Sequence, residues 1–220
     1  MAHDTIGPLL VPTVVGDARV TRIEAAGPKA LLALGHGAGG GVEARDLQAL
    51  AAALPPRGIS VALVEQPWRV AGKRLAPAPK TLDTGWKAIC AAFGADLPLV
   101  VGGRSAGARV ACRTGRAVGA VAVLALAFPL HPPGKPEQSR ADELLDAGLP
   151  TLVVQGERDP FGKPEELAEA GWSGKGRELV AVPFADHGFA VPKSAKTTEE
   201  ETLSLITEAV IGWLGRTLAP

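Results

Sequence analysis

Three residues of this chain could do nucleophilic chemistry together: Ser105 in Gly103-Arg104-Ser105-Ala106-Gly107, then Asp159, then His187. A serine hydroxyl attacks a carbonyl carbon only when a base takes its proton. Imidazole, which titrates near neutrality, is the natural base. A carboxylate on the far ring nitrogen would orient the imidazole and balance its charge once protonated. Gly-x-Ser-x-Gly recurs by chance in a chain rich in Gly and Ala, so its weight comes from the partners that follow it. Asp186 directly precedes His187 and is poorly placed for that nitrogen, and Glu157 sits earlier at a strand end, so Asp159 is the expected acid. Among the other histidines, His3 is expected at a solvated terminus, His131 in a loop, and His36 as a structural member of a glycine loop.

Acyl transfer through Ser105 also needs two donors for the oxyanion. The N–H of Ala106, next after the nucleophile, is one; in His36-Gly37-Ala38-Gly39 the N–H of Ala38 is the expected second, with Gly39 in reserve. The same loop can be read as Gly35-x-Gly37-x-x-Gly40 with Glu65 ending the next strand, a dinucleotide fingerprint. That reading leaves Ser105, Asp159 and His187 without a task, and a chain without tyrosine cannot run Tyr–Lys dehydrogenase chemistry. Gly39, Trp68, Arg69 and Arg104 are candidate substrate contacts, the two arginines suited to an anionic substrate. The competing expectation is solvated charge, with Trp68 packed on a neighbouring loop.

The elements that must position these residues follow from periodicity. Leu31–Leu34, Ser60–Val64, Leu97–Val101, Val118–Phe128, Thr151–Val154 and Leu179–Val182 read as buried strands. A hairpin of residues 9–15 and 18–26, turning at Gly16-Asp17, is expected at the edge. Helical spacing joins Leu47, Leu50 and Leu54, then Leu82, Trp86, Ile89 and Phe93, with Gly94 suited to a left-handed cap. A polar loop is expected after Glu65 as far as about Lys80. Helices are also expected over 108–113, 139–145 and 165–170. The last helix carries Leu203, Ile206, Val210 and Trp213 on one face, behind a Thr198/Glu201 capping box. Alternation of strand and helix implies a mostly parallel sheet covered on both faces. Ala38, Ser105, Asp159 and His187 all fall at strand C-terminal ends, where such sheets bind ligands.

The 220 residues suit one α/β domain over 1–220, and 23 basic against 23 acidic residues leave no electrostatic footprint for nucleic acid or anionic lipid. Cys90 and Cys112 lack metal or redox spacing and read as buried thiols. No cofactor or metal is called for. The early residues have no basic leader, and the apolar run 118–128 is too short to span a bilayer, so a cytoplasmic location is expected.

Taken together, Leu34–Gly40, Val64–Pro67, Gly103–Gly107, Phe128–Pro136, Gln155–Gly162 and Asp186-His187 resemble the compact dienelactone-hydrolase-like α/β hydrolases over about residues 30 to 215. More narrowly they resemble the group related to a testis-expressed protein and to the hydrolase-like subunit of a histone-acetyltransferase complex. The order Ser, Asp, His is the one this fold uses. The resemblance implies an α/β-hydrolase fold of eight strands with the second antiparallel, and Ser105, Asp159 and His187 as nucleophile, acid and base. It also implies that some relatives serve in complexes rather than as enzymes. With only a Pro-rich loop and a short helix between Phe128 and Thr151, no cap domain and an open site are expected. Such a site suits a small ester, thioester or lactone substrate.

Overall fold

The computed structural model describes residues 4–219, so His3 lies outside the described residues. Eight strands form one sheet: β1 (Thr5–Val11), β2 (Ala18–Ile23), β3 (Ala30–Gly35), β4 (Ile59–Glu65), β5 (Leu99–Arg104), β6 (Ala122–Leu126), β7 (Thr151–Gly156) and β8 (Arg177–Val182). Their order is β1-β2-β4-β3-β5-β6-β7-β8. β2 pairs antiparallel with both β1 and β4, and every other pairing is parallel, so β2 alone runs against the rest.

Period-2 alternation explains why both faces are covered. In β3, Leu31 and Ala33 enter one buried cluster while Ala30, Leu32 and Leu34 enter the other; in β4, Ala62 and Val64 oppose Val61 and Leu63. On one face lie α1 (Arg45–Ala53) and α7 (Glu199–Thr217), through Leu47, Leu50, Ile206, Val210 and Trp213. The opposite face carries α3 (Pro79–Ala91) and α4 (Ala106–Thr114), with Trp86 and Ile89 fully buried. The Thr198/Glu201 capping box opens α7 as expected, and Gly94 is left-handed at φ 75°.

Three local expectations are corrected. The edge hairpin pairs Val11 with Ala18, and residues 12–17 form the turn. Pro12 has no N–H to give a ladder, and Thr13 closes the turn by bonding the carbonyl of Gly16 at 2.6 Å and accepting from the N–H of Val15 at 3.1 Å. Residues after Glu65 include a short helix α2 (Pro67–Val70), started by proline at its first position. The strand expected from Val118 starts at Ala122, because a 3-10 turn over Arg116–Val118 ends in left-handed Gly119. Between β6 and β7 the chain holds one five-residue helix, α5 (Ala141–Leu145), and after β7 comes α6 (Pro164–Glu169). Among the described residues no helix is long and apolar enough to cross a membrane.

Candidate active site

Chain connectivity reverses direction between β3 and β5, so the crevice outside their C-terminal ends is the topological switch point, and Ser105 stands there. Ser105 holds φ 52° and ψ −111°, a costly backbone for a residue with a side chain. Its neighbours explain how the turn is made. A Cβ on either Gly103 or Gly107 would collide with the carbonyl oxygen of Gly35 on the adjacent strand, so the elbow approaches β3 only because both are glycine. Ala106 then opens α4, where its N–H has no partner within the helix.

Two loops bring the other groups to Ser105. The loop after β8 presents His187, whose Nε2 lies 3.0 Å from Ser105 Oγ and whose Nδ1 lies 2.8 Å from Asp159 Oδ2. The loop after β7 presents Asp159, which is only 1 % exposed. Its Oδ1 accepts from the N–H of Phe161 at 2.8 Å, and its Oδ2 accepts from Gln155 Nε2 at 2.9 Å. With Nδ1–H donated to Asp159, Nε2 is left as the acceptor for the serine proton. Phe161 stacks on the imidazole with ring centroids 4.2 Å apart and planes 31° apart, which limits its rotation. The rival acids are engaged elsewhere. Asp186 Oδ1 accepts from the N–H groups of Gly188 and Ala190, and Glu157 Oε2 from that of Phe184.

The glycine loop after β3 lies against the nucleophile: a Cβ on Gly37 would sit 3.4 Å from Ser105 Cβ. Ala38 and Gly39 follow, exposed on the same rim. Beneath them, His36 accepts from the N–H of Gln66 at Nε2 (3.1 Å), so Nδ1 donates to the carbonyl of Gly37 at 2.8 Å. Burial, outweighing the other influences, lowers its pKa and keeps the ring neutral. His36 is thus a strut of the loop. Glu65 is held by Arg19 at 2.6 Å, which spends the carboxylate that the dinucleotide reading requires.

Two of the candidate substrate contacts have other partners in the structure, Trp68 in the way the competing expectation had it. Trp68 is 6 % exposed and packs its ring 5.5 Å from that of His36, supporting the glycine loop from below. Arg104 is turned away from open solvent: its Nη2 donates to the main-chain carbonyl of His187 at 2.5 Å, and its Nε lies 3.4 Å from Asp46 Oδ2. Burial raises the Asp46 carboxyl above its ordinary range, against the pull of Arg104 and of the helix N–H groups. Arg69 stays on the rim, 3.4 Å from Glu43 in an exposed pair.

The sequence did not single out Gln155, Phe161 or Asp46 for this site. Gln155 is fully buried and also bonds the N–H (2.9 Å) and carbonyl (3.2 Å) of Phe128 and the carbonyl of Gly162 (2.7 Å). It therefore stitches the ends of β6 and β7 together under Asp159. The available signal was an amide closing the otherwise apolar run Thr151–Val154. Asp46 reads as an ordinary first-turn acid of α1 until its burial is known.

Comparison with known proteins agrees with this architecture. A lidless α/β serine hydrolase from Xanthomonas campestris superposes with a TM-score of 0.73 at 18% identity, covering 94% of each chain. A dienelactone hydrolase from Anabaena variabilis gives 0.76 at 16% identity, covering 98% of this chain and 99% of the other. An esterase domain from Rhodothermus marinus gives 0.71 at 13% identity over the whole of both chains. The family model described as "Alpha/beta hydrolase domain" matches residues 28–215, a span that runs from β3 through most of α7 and takes in the elbow and both loops. The chain belongs to the α/β-hydrolase domain family.

Proposed function

We propose that the protein is a serine hydrolase that cleaves carboxylic ester, thioester or lactone bonds through an acyl-enzyme intermediate. The supporting observation is the continuous path from Ser105 Oγ to His187 Nε2, and from His187 Nδ1 to Asp159. Ser105 attacks the carbonyl carbon while His187 takes its proton, and Asp159 stabilises the imidazolium. The oxyanion is received by the N–H of Ala106 and that of Ala38, with Gly39 the alternative second donor. Collapse expels the alcohol or thiol, protonated by His187. Water then attacks the acyl-Ser105 carbonyl, His187 acting as base again, and the acid leaves.

Ester-like bonds are the favoured substrates because only a short helix stands where a cap would be, so little water is excluded. This chemistry calls on no metal or cofactor. A small neutral or anionic ester fits an open rim, with Arg69 the remaining candidate contact. We place the protein in the cytoplasm as one domain over residues 1–220, and within the dienelactone-hydrolase-like members on the motifs quoted above. The narrower kinship with the testis-expressed and histone-acetyltransferase-subunit group rests on those motifs alone. Assay against a panel of aryl esters and thioesters tests the reading: wild type turns over at least one class and Ser105→Ala none. A folded wild type inert to the whole panel would favour a protein-contact module instead.

A further inference from the structure

The base and the nucleophile are carried by distant parts of the sheet. β5 and β8 are three strands apart, roughly 14 Å at ordinary strand spacing, so the loop carrying His187 must be held to the elbow by something other than strand pairing. Its internal bonds shape it without doing that. Asp186 bonds the N–H groups of Gly188 (2.7 Å) and Ala190 (3.0 Å), and Phe184 and Phe189 take positive φ. Other bonds tie it to the acid loop: the N–H of Arg158 donates to the carbonyl of Ala185 at 2.9 Å, and Glu157 accepts from Phe184 at 3.1 Å. Toward the elbow, the main-chain tie is the 2.5 Å bond from Arg104 to the carbonyl of His187. Among the described residues no backbone N–H donates to that carbonyl.

Arg104 immediately precedes Ser105, so one side chain links the backbone of the nucleophile to the backbone of the base. Asp46 braces it from behind. The Asp46 side chain is 2% exposed, and its Oδ2 lies 3.4 Å from Arg104 Nε in an ion pair in which neither atom makes a hydrogen bond. Leu47 and Leu50 anchor Asp46's helix in the core. We propose that Arg104, braced by Asp46, is a positioning residue that pins the His187 loop to the nucleophile elbow and sets the Ser105–His187 distance. The proposal rests on the serine-hydrolase reading above. Slack of about 1 Å between reacting groups can cost a hundredfold in rate.

The test measures the rate and endpoint of fluorophosphonate labelling, with kcat and KM on a neutral and on a carboxylate-bearing aryl ester, for wild type, Arg104→Met, Arg104→Lys, Asp46→Asn and the double variant Arg104→Met/Asp46→Asn. Circular dichroism checks folding. The expected result for Arg104→Met is a full labelling endpoint reached about 10- to 100-fold more slowly, with kcat lowered in proportion and KM within about threefold. Arg104→Lys recovers part of the loss, Asp46→Asn loses about 3- to 10-fold, and the double variant is no worse than Arg104→Met alone. Wild-type labelling rate and kcat in a folded Arg104→Met would overturn the proposal and leave the hydrolase reading intact. So would a loss confined to KM for carboxylate-bearing esters. If Arg104→Met does not fold, Asp46→Asn, which keeps shape and volume, carries the same test, and an unchanged rate there overturns the proposal. A folded wild type that resists the probe would sink the hydrolase reading and this proposal together.

Discussion

Asp159 and Asp186 are the same residue type a short distance apart, and they differ in what claims their oxygens. Asp159 gives one oxygen to a main-chain N–H and turns the other to His187, whereas Asp186 spends Oδ1 on shaping its own loop. Asp159→Asn is therefore expected to lower kcat by about 10⁴, the loss such triads show when the imidazole is held in the wrong tautomer. Steady-state kinetics on the best ester of the panel checks this. Gln155 is the residue whose loss should travel furthest. Gln155→Leu leaves the N–H and carbonyl of Phe128 and the carbonyl of Gly162 without their buried partner, costing about 3 kcal/mol or more. A Tm lowered by roughly 5–10 °C in a thermal melt is the expected reading.

At the scale of elements, the elbow depends on how closely α4 and β5 approach β3. Gly107→Ala drives a methyl group into the carbonyl of Gly35 and should abolish soluble, cooperative folding; Gly40→Ala, where a Cβ meets nothing within 4 Å, should not. Circular dichroism and urea unfolding of the two variants decide it. A second contact joins the segment after β6 to α6. His131 Nε2 lies 2.9 Å from Glu166 Oε2 and its Nδ1 2.9 Å from the carbonyl of Pro132, so both nitrogens face acceptors. Burial pulls its pKa down, but these two acceptors outweigh it and hold His131 above its ordinary 6.5. Glu166 is held below 4.5, first by the N–H of Lys163, against burial, and then by His131. The stability His131 contributes is complete below 6.5 and is lost as pH rises through its raised native value. That from Glu166 is present above 4.5 and is lost as pH falls through its lowered native value. His131→Gln should thus cost most at about pH 5–6 and progressively less in more alkaline buffer, read from urea midpoints across that range.

Strand and helix order, the elbow and the sequence of Ser105, Asp159 and His187 were legible because period-2 runs, glycine spacing and chain order are local signals. What the sequence left open were places where tertiary surroundings decide. Arg104 reads only as the neighbour of the nucleophile and Trp68 as one residue of a polar loop, and the packing of α1 and of the His36 ring shows them turned inward. A four-residue helix such as α2 and the buried carboxyl of Asp46 leave almost no periodic trace.

For the whole molecule, the consequence is access. Eight strands with helices on both faces leave the C-terminal rim covered by loops and short helices, with no domain inserted between β6 and β7. Activity should therefore rise smoothly with substrate concentration through the solubility limit of a long-chain aryl ester. A jump at the emulsion point, the mark of a lid that opens at an interface, would contradict an open site.

The most direct measurement is mass-spectrometric mapping of a fluorophosphonate adduct on the intact, folded protein. One adduct is expected on Ser105 in the wild type, none on Ser105→Ala, and strongly slowed labelling in His187→Ala. A wild type that stays unmodified, or carries its adduct on another residue, would contradict the serine-hydrolase reading.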